Sequence, residues 1–414
     1  MKFKRIISAL LVLASALAVA TSCKKAEEPE PDLISFNISS SSTETVNELR
    51  ADDGSVIMTA EELKTAFNFF SQYLRDYYYN QYQIYSKYYS IKDFSTFLSS
   101  TASSSSTMTF EAVMRQDATD RFTSYITCKK EFVDLGLSFT DEEQKKIDDS
   151  YTEMVAQLNE KDSSTVSSAC QKLGITQDQF KDYITVANYR INKISDYFYG
   201  EKGKEPITEE DLKNNYDKNY TRVKAIILAT TDDNGKTLTD DKLQAVKDKA
   251  AKVEALAKKK GADFEKLLDE YSENAYDISK ITGDDNIKTA QKYNKHFREI
   301  GFLYNESGYE QMFYQAQSIA VPSEIMDAAE SMKVGDVTTV TVSSGGIWII
   351  KKYDINEKES LYTDVKEDIR ANITNTKFNT LLKQWETELS YSFNDTVKDK
   401  YLDPNARDSV FVSE

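Results

Sequence analysis

Cys23, Cys128, Cys170 and His296 carry most of the nucleophilic and metal-ligating chemistry open to this chain, because it holds three cysteines and one histidine. No Cys-x-x-Cys occurs, so a zinc site lacks its ligand spacing, and one imidazole cannot build a histidine-rich centre. No phosphate-cradling glycine loop, dinucleotide fingerprint or nucleophile elbow is present. Metal-dependent, nucleotide-dependent and hydrolytic catalysis are therefore unsupported, and no cofactor or metal is expected.

Cys23 has a different use. Lys2, Lys4 and Arg5 precede an apolar run of fifteen residues, Ile6 to Ala20. A membrane-spanning helix takes ~20 residues, so the run reads as a signal peptide. It ends in Ala20-Thr-Ser-Cys23, small residues before a cysteine, the pattern of a bacterial lipoprotein signal. Cys23 is the expected lipidation site, and a multiply acylated cysteine would hold firmly to a bilayer. An ordinary secretory signal with an incidental cysteine is the alternative. Export permits disulfides, so Cys128 and Cys170 read equally as a bridge or as two buried thiols.

Composition narrows the partners. A net charge of −16 opposes nucleic-acid binding, which needs a basic footprint. A chain of 414 residues suggests two to three domains, and 40% hydrophobic content can fill their cores. Only five prolines and thirteen glycines point to many helices.

Capping boxes mark where those helices begin. Thr59 with Glu62, Thr140 with Glu143, Thr176 with Gln179 and Thr208 with Asp211 each set a hydroxyl against an unpaired backbone N–H. Behind the first box, Leu63, Phe67, Phe70, Leu74, Tyr77 and Tyr78 recur at helical spacing and predict one buried face. Helices are also predicted over 110–135, 141–158, 167–173, 177–199 and 209–216. The stretch from Phe67 to Phe97 is crowded with aromatics, among them Tyr73, Tyr79, Tyr82, Tyr85, Tyr88, Tyr89 and Phe94. Core packing explains such a run, and so does a surface for unfolded chains, since tyrosine supplies contact area at low entropy cost.

A second module opens at Val223 and closes at Asp354. Val223 to Leu228 reads as a strand, Asp240 to Lys259 and Asp263 to Tyr271 as helices, and Glu299 to Leu303 as strand-like. Ser323 to Met332 is helical, and Asp336 to Val342 and Ile347 to Tyr353 should pair antiparallel. Tyr362 to Leu389 is a long helix burying Val365, Ile369, Ile373, Phe378, Leu381, Leu382 and Trp385.

Three stretches of this module resemble parvulin-type foldases of the bacterial envelope, the PrsA and SurA-like proteins. They are Ala262-Asp-Phe-Glu-Lys-Leu-Leu-Asp-Glu-Tyr-Ser272, Ala328-Ala-Glu-Ser-Met-Lys-Val-Gly-Asp-Val337 and Gly346-Ile-Trp-Ile-Ile-Lys351. The resemblance implies an α+β fold: a mainly helical SurA-like chaperone domain from N- and C-terminal segments, with an inserted parvulin-like (FKBP-like) β-α domain on a small antiparallel sheet. It implies a signal peptide over 1–22, a lipidated cysteine and flexible tether over 23–48, and a helical chaperone domain over 49–202. A linker helix follows at 203–218, the parvulin-like domain at 219–356, a C-terminal helix packing on the chaperone domain at 357–402, and a tail at 403–414.

Parvulins lower the barrier to prolyl rotation with a polar cluster that includes two histidines. Here those positions correspond to Ile226 and Trp348, and the family's Cys or Asp position to Asn274. The residues lining the proline pocket correspond to Phe302, Leu303, Val321 and Ile325. The degenerate positions leave no confident catalytic residue, while Phe302, Leu303, Val321, Ile325 and Trp348 could form an apolar groove for extended peptide or could have filled in as core. The implied function is a membrane-anchored, extracytoplasmic chaperone or foldase for exported unfolded polypeptides, with weak or absent peptidyl-prolyl isomerase activity. An active isomerase, and a surface lipoprotein with one specific ligand, are the alternatives.

Overall fold

The computed structural model describes residues 31–37, 45–102, 107–161, 166–232, 236–273, 283–308, 320–343, 346–405 and 408–411. The signal segment, Cys23 and Asn274 lie outside them. The fold is α+β, mostly helical with small antiparallel sheets. Among the described residues, no helix is long and apolar enough to cross a membrane. Two compact units form, one from the described parts of Met1–Pro206 and Thr376–Glu414, the other from Ile207–Asn375.

The first unit begins with strands where a tether was expected. Strands β1 (Ile34–Asn37) and β2 (Thr45–Val46) pair antiparallel, and β3 (Leu49–Arg50) pairs with β4 (Val56–Met58). Leu33, Ile34 and Phe36 are buried. Helix α1 (Ala60–Tyr85) starts at the Thr59 capping box and buries Leu63, Ala66, Phe67, Phe70, Leu74 and Tyr78. Tyr77, expected on that face, is exposed. Helices α2 (Phe94–Ser99) and α3 (Phe110–Asp134) follow, and Phe67 meets Phe122 edge-on at 5.1 Å across the α1–α3 contact. Each such buried ring contributes roughly 1.5–3 kcal/mol.

Helix α4 (Asp141–Lys161) opens at the Thr140–Glu143 box, before α5 (Val166–Leu173) and α6 (Gln177–Lys181). The predicted continuous helix over 177–199 contains one π-turn, Asp182–Val186, and resumes as α7 (Ala187–Tyr199). That turn gathers polar groups: Tyr125 and Lys129 from α3 reach the Asp182 carboxylate at 2.6 and 2.9 Å, and Arg190 reaches it at 2.5 Å. Burial pushes the Asp182 pKa up, but Arg190, Lys129 and the Tyr125 hydroxyl outweigh it and hold the carboxyl below its usual range. Cys128 and Cys170 are both buried free thiols, so the bridge does not form.

The second unit holds a four-stranded antiparallel sheet. Helix α8 (Glu209–Asn219) begins at the Thr208–Asp211 box. It is no free linker: Leu212 and Tyr216 are buried, and the Tyr216 hydroxyl donates to the Ile355 carbonyl at 2.8 Å. Then come β5 (Thr221–Leu228), α9 (Asp240–Ala257), α10 (Phe264–Tyr271), α11 (Asp284–Glu299), β6 (Phe302–Tyr304), α12 (Ser323–Ser331), β7 (Val337–Val342) and β8 (Gly346–Tyr353). The strand order is β6-β5-β8-β7. Because β6 covers only Thr221 to Val223 of β5, the later edge needs other partners. Ser272 and Glu273 provide them: the Ser272 hydroxyl accepts from the Ile227 N–H at 3.0 Å, and the Glu273 N–H donates to the Ile227 carbonyl at 2.8 Å.

Helix α13 (Glu359–Glu388) contains the division between units. Leu361, Val365, Ile369, Phe378 and Trp385 are buried along it, whereas Ile373, Leu381 and Leu382 are half-buried. Strand β9 (Tyr391–Phe393) then completes the first unit by pairing with β1, Ile34 opposite Phe393 and Phe36 opposite Tyr391. Helix α14 (Asp395–Leu402) buries Val397 and Leu402 in the same core.

Candidate functional site

Strand register fixes the facing of Ile226 and Trp348. In the β5–β8 pair, Ile226 stands opposite Ile349, and Ile227 opposite Trp348. Side chains alternate along a strand, so Ile226 and Trp348 point to opposite faces of the sheet. Ile226 packs with Leu228, Val253, Phe264 and Ile349. Trp348 packs on the other face, its ring 5.4 Å from Phe302, and Phe302 lies 4.6 Å from Phe297. No shared polar cluster can form from these two positions.

Nor is the expected apolar groove open. Phe302, Leu303, Val321 and Ile325 are all buried, and only Trp348 is half-buried. Val321 and Ile325 of the α12 segment join Phe302, Val223, Ala225 and Ile350 in one core. The positions are filled because α12 and the aromatic rings of α11 cover that face. Beside it lies a surface cavity of about 390 Å³ between α10 and α11, lined by Leu268, Asp269, Tyr293, Phe297 and Arg298 among others. Arg298 and Asp269 form an ion pair at 2.8 Å at that cavity. Its lining is mixed and charged, unlike a proline-gripping pocket. His296 lies on α11, away from both strand positions in sequence.

The polar groups of the sheet hold structure. Arg222 is fully buried, pairs with Glu357 at 2.6 Å and donates to the Ile300 carbonyl at 2.8 Å. Lys224 reaches Glu265 at 2.8 Å, and the Tyr353 hydroxyl donates to the same carboxylate at 2.7 Å. Burial lowers the Lys224 pKa, and Glu265 partly restores it.

Among the described residues, exposed apolar side chains concentrate at and just beyond the end of α1, with others at Val56, Val133 and Val334. Tyr88 is 78% and Tyr89 62% exposed, with Tyr85 at 40%, Ile84 at 44% and Met108 at 45%. Among the neighbouring rings, Phe97 is buried and Phe94 and Phe110 are half-buried. Tyr85 lies 5.9 Å from Phe97 and stacks on Tyr89 at 6.0 Å, and Phe97 stacks on Phe110 at 4.4 Å. Tyr79 and Tyr82 lean on Phe94 at 5.1 and 5.8 Å. Phe110, the first residue of α3, lies against both Tyr78 and Tyr85, and Tyr88 and Tyr89 follow the end of α1. The aromatic run was evident in the sequence. Ile84 and Met108 were not read from it, although Ile84 stands seven residues after Tyr77 and four before Tyr88.

No protein-family model and no curated protein matches this chain. Solved structures do. The chain is similar to the foldase protein PrsA of Streptococcus pneumoniae, at 20% identity over 73% of this chain and 89% of that one, with a TM-score of 0.22. The peptidylprolyl isomerase PrsA of Bacillus anthracis is 18% identical over 66% of this chain and 95% of its own, with a TM-score of 0.25. The foldase protein PrsA of Lactococcus lactis is 18% identical over 70% and 89%, with a TM-score of 0.26. Likeness at this level carries no argument about site residues or activity, so the function rests on the geometry above.

Proposed function

We propose that this protein is a membrane-anchored, extracytoplasmic chaperone that holds exported, unfolded polypeptides without accelerating prolyl isomerisation. The observation that carries the reading is the exposed, tyrosine-rich set Ile84, Tyr85, Tyr88, Tyr89 and Met108, with Tyr85 set against Phe97. Tyrosine rings offer apolar area with few rotamers to lose, and their hydroxyls can meet the backbone of any passing chain. Such a surface suits clients of varied sequence. The isomerase half of the reading follows from Ile226 and Trp348, apolar side chains on opposite faces of one sheet. Anchoring rests on Ala20-Thr-Ser-Cys23, and mass spectrometry of the mature N-terminus would show the acylated Cys23 or its absence.

Aggregation assays test the main claim. The protein should suppress aggregation of several unrelated unfolded proteins at near-stoichiometric ratio. The paired substitutions Tyr88→Ser and Tyr89→Ser should weaken this at least ~10-fold, because each exposed ring supplies contacts of the order of 1–2 kcal/mol, while thermal stability stays within ~0.5 kcal/mol. Suppression of none, with tight binding to a single ligand, would establish instead a surface lipoprotein dedicated to that ligand. Undiminished suppression by the paired variant would move the binding surface elsewhere.

A further inference from the structure

Helix α1 carries four buried polar side chains, Ser71, Gln72, Arg75 and Asp76. Buried polar groups destabilise a core unless partnered. The partners of Gln72, Arg75 and Asp76 come from residues 404–411. Both backbone N–H groups of Val410 and Phe411 donate to one Asp76 carboxylate oxygen, each at 2.7 Å. Gln72 donates to the Asp408 carbonyl at 3.1 Å and to the other Asp76 oxygen at 3.0 Å. Arg75 pairs with Asp76 at 3.0 Å and donates to the Ser409 hydroxyl. The Phe411 ring sits among Phe69, Tyr73 and Phe180, with centroids 6.0 to 6.3 Å away.

What α1 recognises in this segment is mostly not its sequence. Three of the contacts are to backbone groups that any non-proline residue carries, and one is to a hydroxyl. The remaining feature is a single aromatic ring in an aromatic socket. A bent segment whose aromatic residue and the residue before it both turn their amides to one carboxylate oxygen would satisfy the same groups. We propose that Gln72, Arg75, Asp76 and the Phe69–Tyr73–Phe180 socket form a peptide-binding groove for aromatic-bearing segments of unfolded chains that bend at the aromatic residue, with Asp408–Phe411 as its resident, exchangeable occupant. This site rests on the polypeptide-binding reading above and adds to it a second, backbone-directed subsite on the same helix. The tethered segment competes at an effective concentration in the millimolar range. The groove therefore opens only to clients that bind strongly or are held nearby, as a client on the tyrosine surface of α1 would be.

A fluorescein-labelled peptide of residues 408–414 provides the probe. Titrated against a chain ending at Arg407, it should bind saturably. Binding to the full chain should be at least 10-fold weaker, because the groove is occupied. The peptide with Phe411→Ala should lose at least 10-fold, and an unlabelled, unrelated flexible peptide carrying one phenylalanine should displace the probe. Two results overturn the proposal: no binding to the shortened chain while its circular dichroism remains native, or binding that no unrelated peptide displaces, which would make the segment a dedicated structural latch. If the shortened chain does not fold, hydrogen exchange on the full chain decides. Excess phenylalanine-bearing peptide should speed exchange at Val410 and Phe411, and unchanged exchange overturns the proposal. Aggregation suppression is read separately, through Tyr88 and Tyr89, so failure there leaves the peptide result interpretable.

Discussion

Ile226→His is the most direct test of whether the sheet still houses an isomerase site or has become core. Ile226 is fully buried on the face formed with Leu228, Val253, Phe264 and Ile349. Its replacement forfeits about 2 kcal/mol of apolar burial. The imidazole adds two ring nitrogens to an aliphatic cluster, and leaving one unpartnered costs ~1–3 kcal/mol more. Together these come to ~3–5 kcal/mol, or a urea midpoint lower by roughly 1–3 M at a typical slope. The two tryptophans fall in different units, Trp348 in the second and Trp385 in the first. With Trp385→Phe in the background, Trp348 fluorescence reports unfolding of the second unit alone. The companion variant Ile226→His with Trp348→His is assayed for acceleration of prolyl isomerisation in a short peptide. It should give none, because the two rings would project from opposite faces. An unchanged urea midpoint for Ile226→His, together with a gain of isomerase activity in the double variant, would refute the reasoning.

Two further outcomes follow from particular residues. Burial raises the Glu131 pKa to about 7; Lys130 opposes the shift, and Asp134, Asp52 and Glu388 add to it. The folded value lies above the unfolded one, so this group's stability contribution is full below pH ~4.3 and is lost as pH rises through about 7. Glu131→Gln should therefore match the parent protein at pH 4 and melt higher at pH 8, and parallel melting profiles would count against it. Gly301 adopts φ +82°, and a Cβ there would lie 2.4 Å from the Val223 carbonyl oxygen. Gly301→Ala should destabilise the second unit by at least ~2 kcal/mol in the same urea assay, and a loss under 0.5 kcal/mol would show that the β5–β6 corner yields freely.

Much of the helical frame was legible. The four capping boxes all form, with reciprocal hydrogen bonds at Thr59, Thr140, Thr176 and Thr208. A hydroxyl three residues from its partner needs no distant information. The strands Val223 to Leu228 and Ile347 to Tyr353 were legible from composition, and β5 and β8 extend them by one or two residues. The candidate site was much less so. A motif match placed Ile226 and Trp348 in strands, but nothing local states which residue stands across from which. A one-residue change of register moves a side chain to the other face. The tether reading failed for Leu33 to Asn37 because its partner, β9, lies more than 350 residues away. Asp408 to Phe411 read as tail for the same reason: four polar-to-apolar residues make no periodic signal, and their partners lie on α1.

By itself the sequence determined the helix starts, the apolar stripe of α1, the aromatic content of 67–97 and the absence of zinc-ligand spacing. These depend on residue type at short separation, where backbone geometry leaves few choices. Tertiary structure alone decided which aromatics stay in solvent: Phe97 is buried and Tyr88 exposed although they stand nine positions apart in the same run. It also decided that Ile226 and Trp348 lie back to back and that Asp76 holds the backbone of Val410 and Phe411. Exposure, facing and long-range pairing belong to the surfaces that elements present to one another. Those surfaces exist only once the chain has folded.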